Sequence, residues 1–297
     1  MMQSIKKAWS KNAVGYLFLS PWLIGLIGLS IIPMISSLYL SFTNYDMFTT
    51  PKWIGADNYK HMFQDPKYLS SVKVTLTYVL LSVPLQLMFA LGVASVLNRG
   101  LRGLRFYRAA YYIPSLFGGS VAVSLLWRQL FGGDGIVNKL LSVFGIHGIN
   151  WIATPETSLY TLVVLSVWQF GAPMVIFLAG LKQIPMELYE AAKIDGASKR
   201  RQFFSLTLPM LSPIILFNLV MQIIHAFQAF TPAYIISGGT GGPLDSTLFY
   251  TLYLFQKAFT LFQMGYASAM AWVLLVAVAI VTVLIFATSK KWVFYQE

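Results

Sequence analysis

The sequence predicts an all-helical protein that crosses a membrane several times. Of its 297 residues, 57% are hydrophobic and 10% are charged, and the mean hydropathy is +0.67. An ordinary soluble domain is about 25% charged and about 45–50% apolar, and one soluble core cannot hide so much apolar surface. The apolar residues form continuous runs without the alternation of barrel strands, which favours helices. These observations argue against a soluble enzyme and against a disordered chain.

Six apolar runs are long enough to cross a bilayer core of about 30 Å, for which a helix needs roughly 20 residues. We expect spans near residues 13–42, 71–97, 109–131, 159–181, 209–230 and 267–288. No internal repeat stands out, so residues 1–297 are expected to form one transmembrane domain. The first run ends in no small-residue cleavage signal, and it is interpreted as a retained span rather than a signal peptide.

The basic residues lie between the apolar runs and mostly on one side of them. The chain has 21 Lys and Arg against 10 Asp and Glu, a formal net charge of +11. Fourteen of the 21 fall in the N-terminal segment, the second loop, the fourth loop and the C-terminal tail. Because positive charge is enriched in cytoplasmic loops, both termini are predicted to be cytoplasmic. This placement accounts for the charge excess without a nucleic-acid partner.

The sequence lacks the residues that several kinds of chemistry require. The chain has no cysteine, which excludes disulfides and thiol chemistry. His61 and His147 stand alone in outer loops, so no metal site is expected. No acidic residue lies in the middle of a predicted span, whereas proton-coupled carriers usually keep such a group there. This argues against a proton-coupled carrier, although sodium sites built from backbone carbonyls remain an alternative.

The fourth loop, residues 182–208, has the pattern of a short helix, a turn and a second short helix. Pro185 suits the first turn of a helix and Glu187 its positive dipole end, while Gly196 suits a left-handed stop. Ser198 can cap the second helix. The first helix is too short to span a bilayer. Its face of small residues fits the groove of a protein partner or an anionic lipid surface, and the residues alone leave both open.

The same loop resembles a family signature. Its residues Glu190-Ala191-Ala192, Gly196, Leu206 and Leu208-Pro209 resemble, in identity and spacing, the EAA signature of binding-protein-dependent ABC importer permeases. The family usually has isoleucine where this chain has Leu206, a departure that keeps the apolar character. The signature also lies in the loop before the penultimate predicted span, which is its place in that family.

The resemblance extends over nearly the whole chain. Four further segments are similar to the sugar subclass, the maltose-transporter-type permeases: residues 18–22 (FLSPW), 41–45 (SFTNY), 177–181 (FLAGL) and 237–247 (SGGTGGPLDST). The N-terminal segments resemble the MalF-like half of those heterodimers. The resemblance therefore implies a type I, MetI-like permease fold with six transmembrane helices and a cytoplasmic coupling helix, in the inner membrane of a bacterium.

The resemblance also implies a set of partners. These are a second homologous permease subunit, two ABC ATPase subunits, an extracytoplasmic solute-binding protein, a sugar or oligosaccharide, and membrane lipid. ATP and Mg would bind the partner ATPase, so no cofactor is expected in this chain and the chain itself is not expected to be an enzyme. In agreement, its sequence has no Gly-x-x-x-x-Gly-Lys-Ser/Thr phosphate loop.

Two sets of residues receive roles from the resemblance. The coupling helix would contact the ATPase through Glu187, Glu190, Ala191, Ala192, Asp195 and Gly196. The glycine-rich fifth outer loop would approach the binding protein through Gly238, Gly239, Gly241 and Gly242. That loop is expected to be too flexible to hold a shape alone, and a simple linker is the alternative.

Polar residues recur at helical spacing inside the spans. Amides and hydroxyls hydrogen-bond sugar hydroxyls, and aromatic faces stack on sugar C–H faces. We expect a substrate pathway formed by Asn218, Gln222, His225, Trp168, Gln169, Ser124 and Trp127. Polar groups also hold membrane helices together, and we favour that interpretation for Thr75, Tyr78, Ser82 and Gln86. His225 is expected to pack rather than relay protons, and Trp127 fits an interfacial anchor equally well.

The sequence thus predicts one permease half of an ATP-driven sugar importer that works by alternating access. The rivals are an ion-coupled secondary carrier, an ABC importer for a non-sugar solute, and a membrane scaffold that recruits a cytoplasmic partner. The polar stripes favour a carrier over a scaffold, and the missing intramembrane acids favour an ATP-driven one. Only the resemblance favours a sugar over an amino acid or phosphate.

Overall fold

A computed structural model of the chain describes residues 15–100 and 103–294. In this part of the chain the regular structure is helical, apart from an isolated bridge between Thr43 and Trp53, and the prediction of an all-helical protein is confirmed. The start of the first predicted span and the lysines of the N-terminal segment lie outside the described residues. The described residues divide into two compact units: one runs to Gln64 and includes residues 257–273, and the other runs from Asp65 to Gln256 and continues from Leu274.

The first unit is formed by helices α1 and α2 and the beginning of α14. Their bounds are Gly15–Ser41 for α1, Asp57–Gln64 for α2 and Met264–Ser289 for α14. Asn58 of α2 ties down the segment after α1, because its Nδ2 donates to the carbonyls of Ser41 at 2.9 Å and Thr43 at 2.8 Å. The most apolar stretch of α1 has no buried residue, so this helix presents its side chains to lipid or to another subunit.

The second unit contains the other helices. In chain order they are α3 (Pro66–Leu97), α4 (Leu104–Phe117), α5 (Val121–Leu130), α6 (Ile136–Val143), α7 (Pro155–Trp168), α8 (Gly171–Leu181), α9 (Met186–Ile194), α10 (Lys199–Gln202), α11 (Leu208–Phe227), α12 (Thr231–Ile236) and α13 (Tyr250–Phe255). A π-helical turn, Phe203–Thr207, joins α10 to α11. Short 3₁₀ and π turns lie at Pro243–Asp245 and Gln256–Thr260.

The core of the second unit lies around α3, which packs against α7, α8, α11 and α13. α3 begins at Pro66 because Asp65 caps it, accepting hydrogen bonds from the backbone N–H groups of Lys67 and Tyr68. Its fully buried positions include Ala90 and Ala94. Small residues let membrane helices approach closely, which explains how one helix can contact four others.

Among the described residues, four helical stretches are long and apolar enough to cross a membrane without a break: α1, α3, Lys199–Ile236 and α14. Two more spans exist only as bent pairs, α4 with α5 at 97° and α7 with α8 at 41°, which would bring the total to six. The third and fourth spans, which the sequence predicts as single runs, are therefore broken. In the third, Gly118 and Gly119 interrupt the helix and Ser120 caps the next one, its Oγ accepting from the Val123 N–H at 3.3 Å.

Candidate functional site

A cavity of about 370 Å³ lies within the second unit, where three helix breaks meet. The break between α4 and α5 contributes Gly119, the break between α7 and α8 contributes Gln169, and the break after α11 contributes residues 228–230. α3 supplies Tyr78 and Gln86 to the wall. Non-helical backbone at membrane depth is tolerated where it is buried in protein or lines a cavity, and these breaks meet that condition.

The break at Gln169 shows how side chains replace the lost helical hydrogen bonds. The carbonyl of Gln169 accepts from Ser115 Oγ at 2.9 Å and from Gln86 Nε2 at 3.2 Å. Ser115 Oγ in turn accepts from the backbone N–H of Ala172 at 2.9 Å. At Gly171 the helices touch so closely that a Cβ would lie 2.1 Å from the Tyr111 carbonyl oxygen. The cavity wall is therefore fixed by contacts between helices distant in sequence.

The lining of the cavity is polar and uncharged. Its polar side chains come from five helices or their breaks, and they are Tyr78, Gln86, Ser115, Ser166, Gln169, Gln222, His225, Gln228 and Thr231. Phe230 adds an aromatic ring. No Asp, Glu, Lys or Arg lines the cavity in the described part of the chain. Four glutamine amides offer both donors and acceptors, which is the inventory that a hydroxyl-rich solute requires.

The residues predicted for the pathway divide into two groups. Gln169, Gln222 and His225 line the cavity together. The other four residues do not line it; they are Asn218, Ser124, Trp127 and Trp168. The side chains of the first three donate hydrogen bonds to backbone carbonyls.

Three of those four side chains are buried against neighbouring backbone. Asn218 Nδ2 donates to the Ile214 carbonyl at 3.2 Å, and Ser124 Oγ donates to that of Ser120 at 2.9 Å. Trp127 Nε1 donates to the Thr161 carbonyl at 3.0 Å, and its ring packs against Trp168 with centroids 5.8 Å apart. The Trp127 bond therefore joins two helices, whereas Asn218 and Ser124 each bond to a carbonyl one turn earlier in their own helix.

The residues of α3 that the sequence predicts to pack helices together also fall into two groups. Thr75 is buried and its Oγ1 accepts from the Tyr250 N–H at 2.8 Å, in agreement with packing. Tyr78 and Gln86, from the same set, line the cavity. Further lining residues not selected from the sequence are Ser115, Ser166 and Gln228. Only their approach in space reveals them, because each lies on a different helix or helix break.

The fourth loop, which we name the coupling segment (residues 182–208), contains the two short helices that its sequence predicts. α9 (Met186–Ile194) has Glu187 in its first turn and no buried residue, and Ile194 is 87% exposed. Ser198 caps α10 with its Oγ accepting from the Arg201 N–H at 3.3 Å. α9 therefore presents apolar side chains that no other described part of this chain covers.

The end of α9 depends on Gly196. This residue has φ of +73°, a left-handed conformation that favours glycine, and a Cβ there would meet no atom within 4 Å. The Ala197 N–H bonds to the Ala192 carbonyl at 2.9 Å, and the Gly196 N–H to that of Lys193 at 3.0 Å, which is the Schellman pattern. The glycine is required by the backbone turn alone.

One side-chain contact ties α9 to the helical stretch that follows it, and a second holds the turn between them. The hydroxyls of Tyr189 and Thr207 are hydrogen-bonded at 2.9 Å, and Gln202 Nε2 donates to the Ala197 carbonyl at 2.8 Å. Gln202 and Thr207 are buried. From Lys199 the chain stays helical through the π turn and α11, which carries Gln222 and His225 into the cavity wall. One helix therefore connects the coupling segment with the cavity.

The glycine-rich fifth loop is held by several hydrogen bonds, one of them from a side chain outside the loop. Gly238, Gly239, Gly241 and Gly242 all have positive φ. The loop is held by hydrogen bonds from the Gly239 N–H to the Tyr234 carbonyl at 2.7 Å and from Gln256 Nε2 to the Gly239 carbonyl at 2.7 Å. Its tip presents Leu244, 90% exposed and also at positive φ. These backbone and side-chain hydrogen bonds hold the loop, since its glycines have no side chains that could pack.

Fold and site together define a membrane permease: apolar helices, a polar cavity, and an exposed segment that connects to it. Residues 53–292 match the family model described as binding-protein-dependent transport system inner membrane component. The chain belongs to this family. Members are permease subunits of ABC importers and are not themselves catalytic, and their membrane location applies to this multi-pass chain as well.

Individual relatives are similar to this chain along nearly their whole length. The chain is 58% identical over 297 residues to the probable ABC transporter permease protein YesP of Bacillus subtilis (strain 168), covering 99% of this chain and 95% of that protein. It is 32% identical over 294 residues to the lactose transport system permease protein LacF of Rhizobium radiobacter, covering 97% of each.

A solved structure confirms the fold. This chain matches a chain of a bacterial alginate ABC transporter in complex with an alginate pentasaccharide-bound periplasmic protein, with a TM-score of 0.81 and 20% identity, over 96% of each chain. At this identity the likeness shows the fold alone.

Proposed function

We propose that this permease imports a sugar or oligosaccharide and that closure of an ATPase dimer drives alternating access through the coupling segment. One observation carries the proposal: the helix that begins at Lys199 joins the exposed coupling segment to the wall of the polar cavity. From Gln202 to Gln222 this helix extends about 30 Å at 1.5 Å per residue, the thickness of a bilayer core. A force applied at α9 can therefore reach the residues that face the solute.

A sugar is favoured by the chemistry of the cavity and by the relatives. Four glutamines, several hydroxyls and Phe230 suit the hydroxyls and C–H faces of a carbohydrate. LacF is described as a lactose transport permease, and the structural neighbour belongs to an alginate importer. The charge of the sugar is not set by this chain, because a second permease subunit would contribute the rest of the pathway.

The proposed assembly places each exposed segment against one partner. Glu187, Glu190, Ala191, Ala192, Asp195 and Gly196 would form the ATPase contact, and ATP and Mg would bind that ATPase. The fifth loop, with its four glycines and Leu244 at the tip, would meet the solute-binding protein. A second permease and two ATPases complete the assembly, with both termini of this chain in the cytoplasm.

Copurification of the tagged chain from native membranes in mild detergent tests the assembly. Wild-type protein is expected to carry a second permease and an ABC ATPase. The double variant Glu190→Ala/Gly196→Val is expected to lose the ATPase and keep the second permease. The matched control Glu156→Ala/Gly145→Val alters an exposed acid and a glycine at φ of +72°, outside the coupling segment, and should retain both partners.

Two results would contradict the proposal. A folded wild-type chain that carries no ATPase would favour an ion-coupled carrier, which uptake into vesicles under an imposed sodium gradient would then reveal. Equal retention of the ATPase by both double variants would place the ATPase contact elsewhere on the chain. Uptake of a panel of labelled mono- to tetrasaccharides by cells with and without the chain tests the solute separately.

A further inference from the structure

An apolar groove of about 470 Å³ lies on the outside of the second unit and takes no part in the cavity or the coupling segment. We name it the loop-two groove, because its lining residues Leu97 and Tyr107 lie on either side of the second loop in the sequence. α3 forms one wall and α4 the other, and the lining residues are Met88, Phe89, Gly92, Val93, Val96, Leu97, Tyr107 and Tyr111. Apart from the two tyrosine hydroxyls, these side chains are purely apolar.

The groove is open along its length. Met88 is 62% exposed and Val96 is 49% exposed, so the walls are not covered by other parts of this chain. Gly92 lies between them, and a Cβ built there would meet no atom within 4 Å. The missing side chain therefore leaves open space between these two exposed residues.

The length of the groove matches one leaflet of a bilayer. From Met88 to Leu97 α3 rises about 14 Å at 1.5 Å per residue. Half of a bilayer core is about 15 Å. A groove of this length, parallel to a predicted span, accommodates an acyl chain from the middle of the bilayer to its surface.

The end of the groove at the second loop is basic. Arg99 follows the lining residue Leu97 by two positions, and Arg105 and Arg108 lie within two positions of the lining residue Tyr107. Within the described residues, none of the three arginines has a carboxylate within 4.0 Å. The Nε of Arg108 is buried and has no hydrogen-bond partner there. A buried guanidinium N–H without a protein acceptor bonds to water or to an oxygen from outside the chain, and an anionic oxygen gives the stronger, charge-assisted bond.

We infer that the loop-two groove binds an anionic phospholipid, with one acyl chain between α3 and α4 and the phosphate at Arg99, Arg105 and Arg108. The apolar walls alone would accept any lipid. The three arginines select an anionic headgroup, because basic pockets between membrane helices on the cytoplasmic side attract such lipids. The site is separate from the sugar pathway, so its occupancy does not depend on the solute.

Native mass spectrometry of the purified full-length chain with its associated subunits tests this inference. The probes are dioleoyl phosphatidylglycerol and dioleoyl phosphatidylcholine, which share their acyl chains and differ in headgroup charge. The wild type is expected to retain one phosphatidylglycerol and to bind it about tenfold more tightly than phosphatidylcholine. The triple variant Arg99→Gln/Arg105→Gln/Arg108→Gln is expected to bind both lipids equally.

Two further variants make the result specific. Gly92→Leu adds an apolar side chain to the groove at a position where a Cβ meets no atom within 4 Å, so it should weaken the binding of both lipids while the arginines remain. The triple control Lys52→Gln/Lys67→Gln/Arg128→Gln removes three exposed cations elsewhere and should keep the preference of the wild type. Thermal unfolding of each variant verifies that it is folded.

Three outcomes would overturn the inference. One is equal binding of the two lipids by the wild type. Another is an unchanged preference in the arginine variant. The third is loss of the second permease from Gly92→Leu with lipid binding intact, which would make the groove a subunit interface. The proposed transport function is unaffected by any of these results, because lipid retention is measured without solute or ATP.

Discussion

The coupling segment and the cavity are built by opposite means. In the coupling segment the hydrogen-bonded partners are close in sequence: Ala197 bonds to Gln202, and Tyr189 to Thr207 eighteen residues on. In the cavity wall, Gln86 reaches Gln169 across 83 residues and Ser115 reaches it across 54. The first region depends on local turns and caps, and the second on close packing between helices. Substitutions in the two regions should therefore have different effects on the protein.

The largest effect is expected for Gly171→Ala in the cavity wall. The new Cβ would lie 2.1 Å from the Tyr111 carbonyl oxygen and 2.8 Å from the Tyr112 Cα, and both are backbone atoms that cannot rotate away. Separating α4 from α8 should lower the free energy of unfolding by about 1–3 kcal/mol. Thermal unfolding in detergent measures this loss.

Gly92→Ala is the control for this change, because its Cβ meets no atom within 4 Å and alanine favours a helix. It should leave the melting temperature equal or higher. If Gly171→Ala melts at the same temperature as the wild type, the close contact between these helices is not needed for the fold, and the contrast between the two regions fails.

A smaller effect, on function rather than stability, is expected for Gly196→Ala. Its φ of +73° and the open space around it closely match those of Gly145, whose φ is +72°. Alanine should cost about 1–2 kcal/mol of backbone strain at either position. Only Gly196→Ala should lower the ATP hydrolysis that the binding protein stimulates, by about tenfold, which is typical of coupling energies.

The measurement is the ATPase rate of the purified complex with and without its binding protein, together with the melting temperature of both variants. Equal melting temperatures with unequal rates would assign the loss to coupling. Equal rates would show that the turn at Gly196 does not transmit the signal, and that the coupling segment matters only for folding.

The smallest effect is expected for Gln222→Leu in the cavity. Leucine has a similar volume but cannot hydrogen-bond, and one such bond is worth about 1 kcal/mol, which corresponds to about a fivefold rise in the KM of sugar uptake. Gln129→Leu, an exposed residue that does not line the cavity, should leave the KM unchanged. An unchanged KM for Gln222→Leu, measured with a sugar that the wild type takes up, would remove this residue from the pathway.

Sequence reasoning was accurate for the coupling segment because its determinants are local. Pro185 lies directly before α9, Glu187 lies in its first turn, Gly196 ends it, and Ser198 caps the helix that follows. Each signal acts within a few residues, so it can be interpreted without the rest of the chain. The roles of these residues toward an ATPase stay a prediction that the experiments above address.

The cavity was only partly predictable for the opposite reason. Helical spacing selected Gln222 and His225 together with Asn218, but Asn218 turns to the Ile214 carbonyl of its own helix. Tyr78 and Gln86 were assigned to packing, yet they line the cavity. Spacing identifies a shared face of one helix, and it does not tell whether that face meets another helix or an open space.

The sequence by itself determined the class of this protein. Its hydropathy requires membrane spans, because water cannot solvate so much apolar surface, and its local start and stop signals specify the coupling segment. Only the tertiary structure decided where the spans break and which amides face the cavity. A freed backbone group such as the Gln169 carbonyl is tolerable only when Ser115 and Gln86 arrive from other helices to satisfy it.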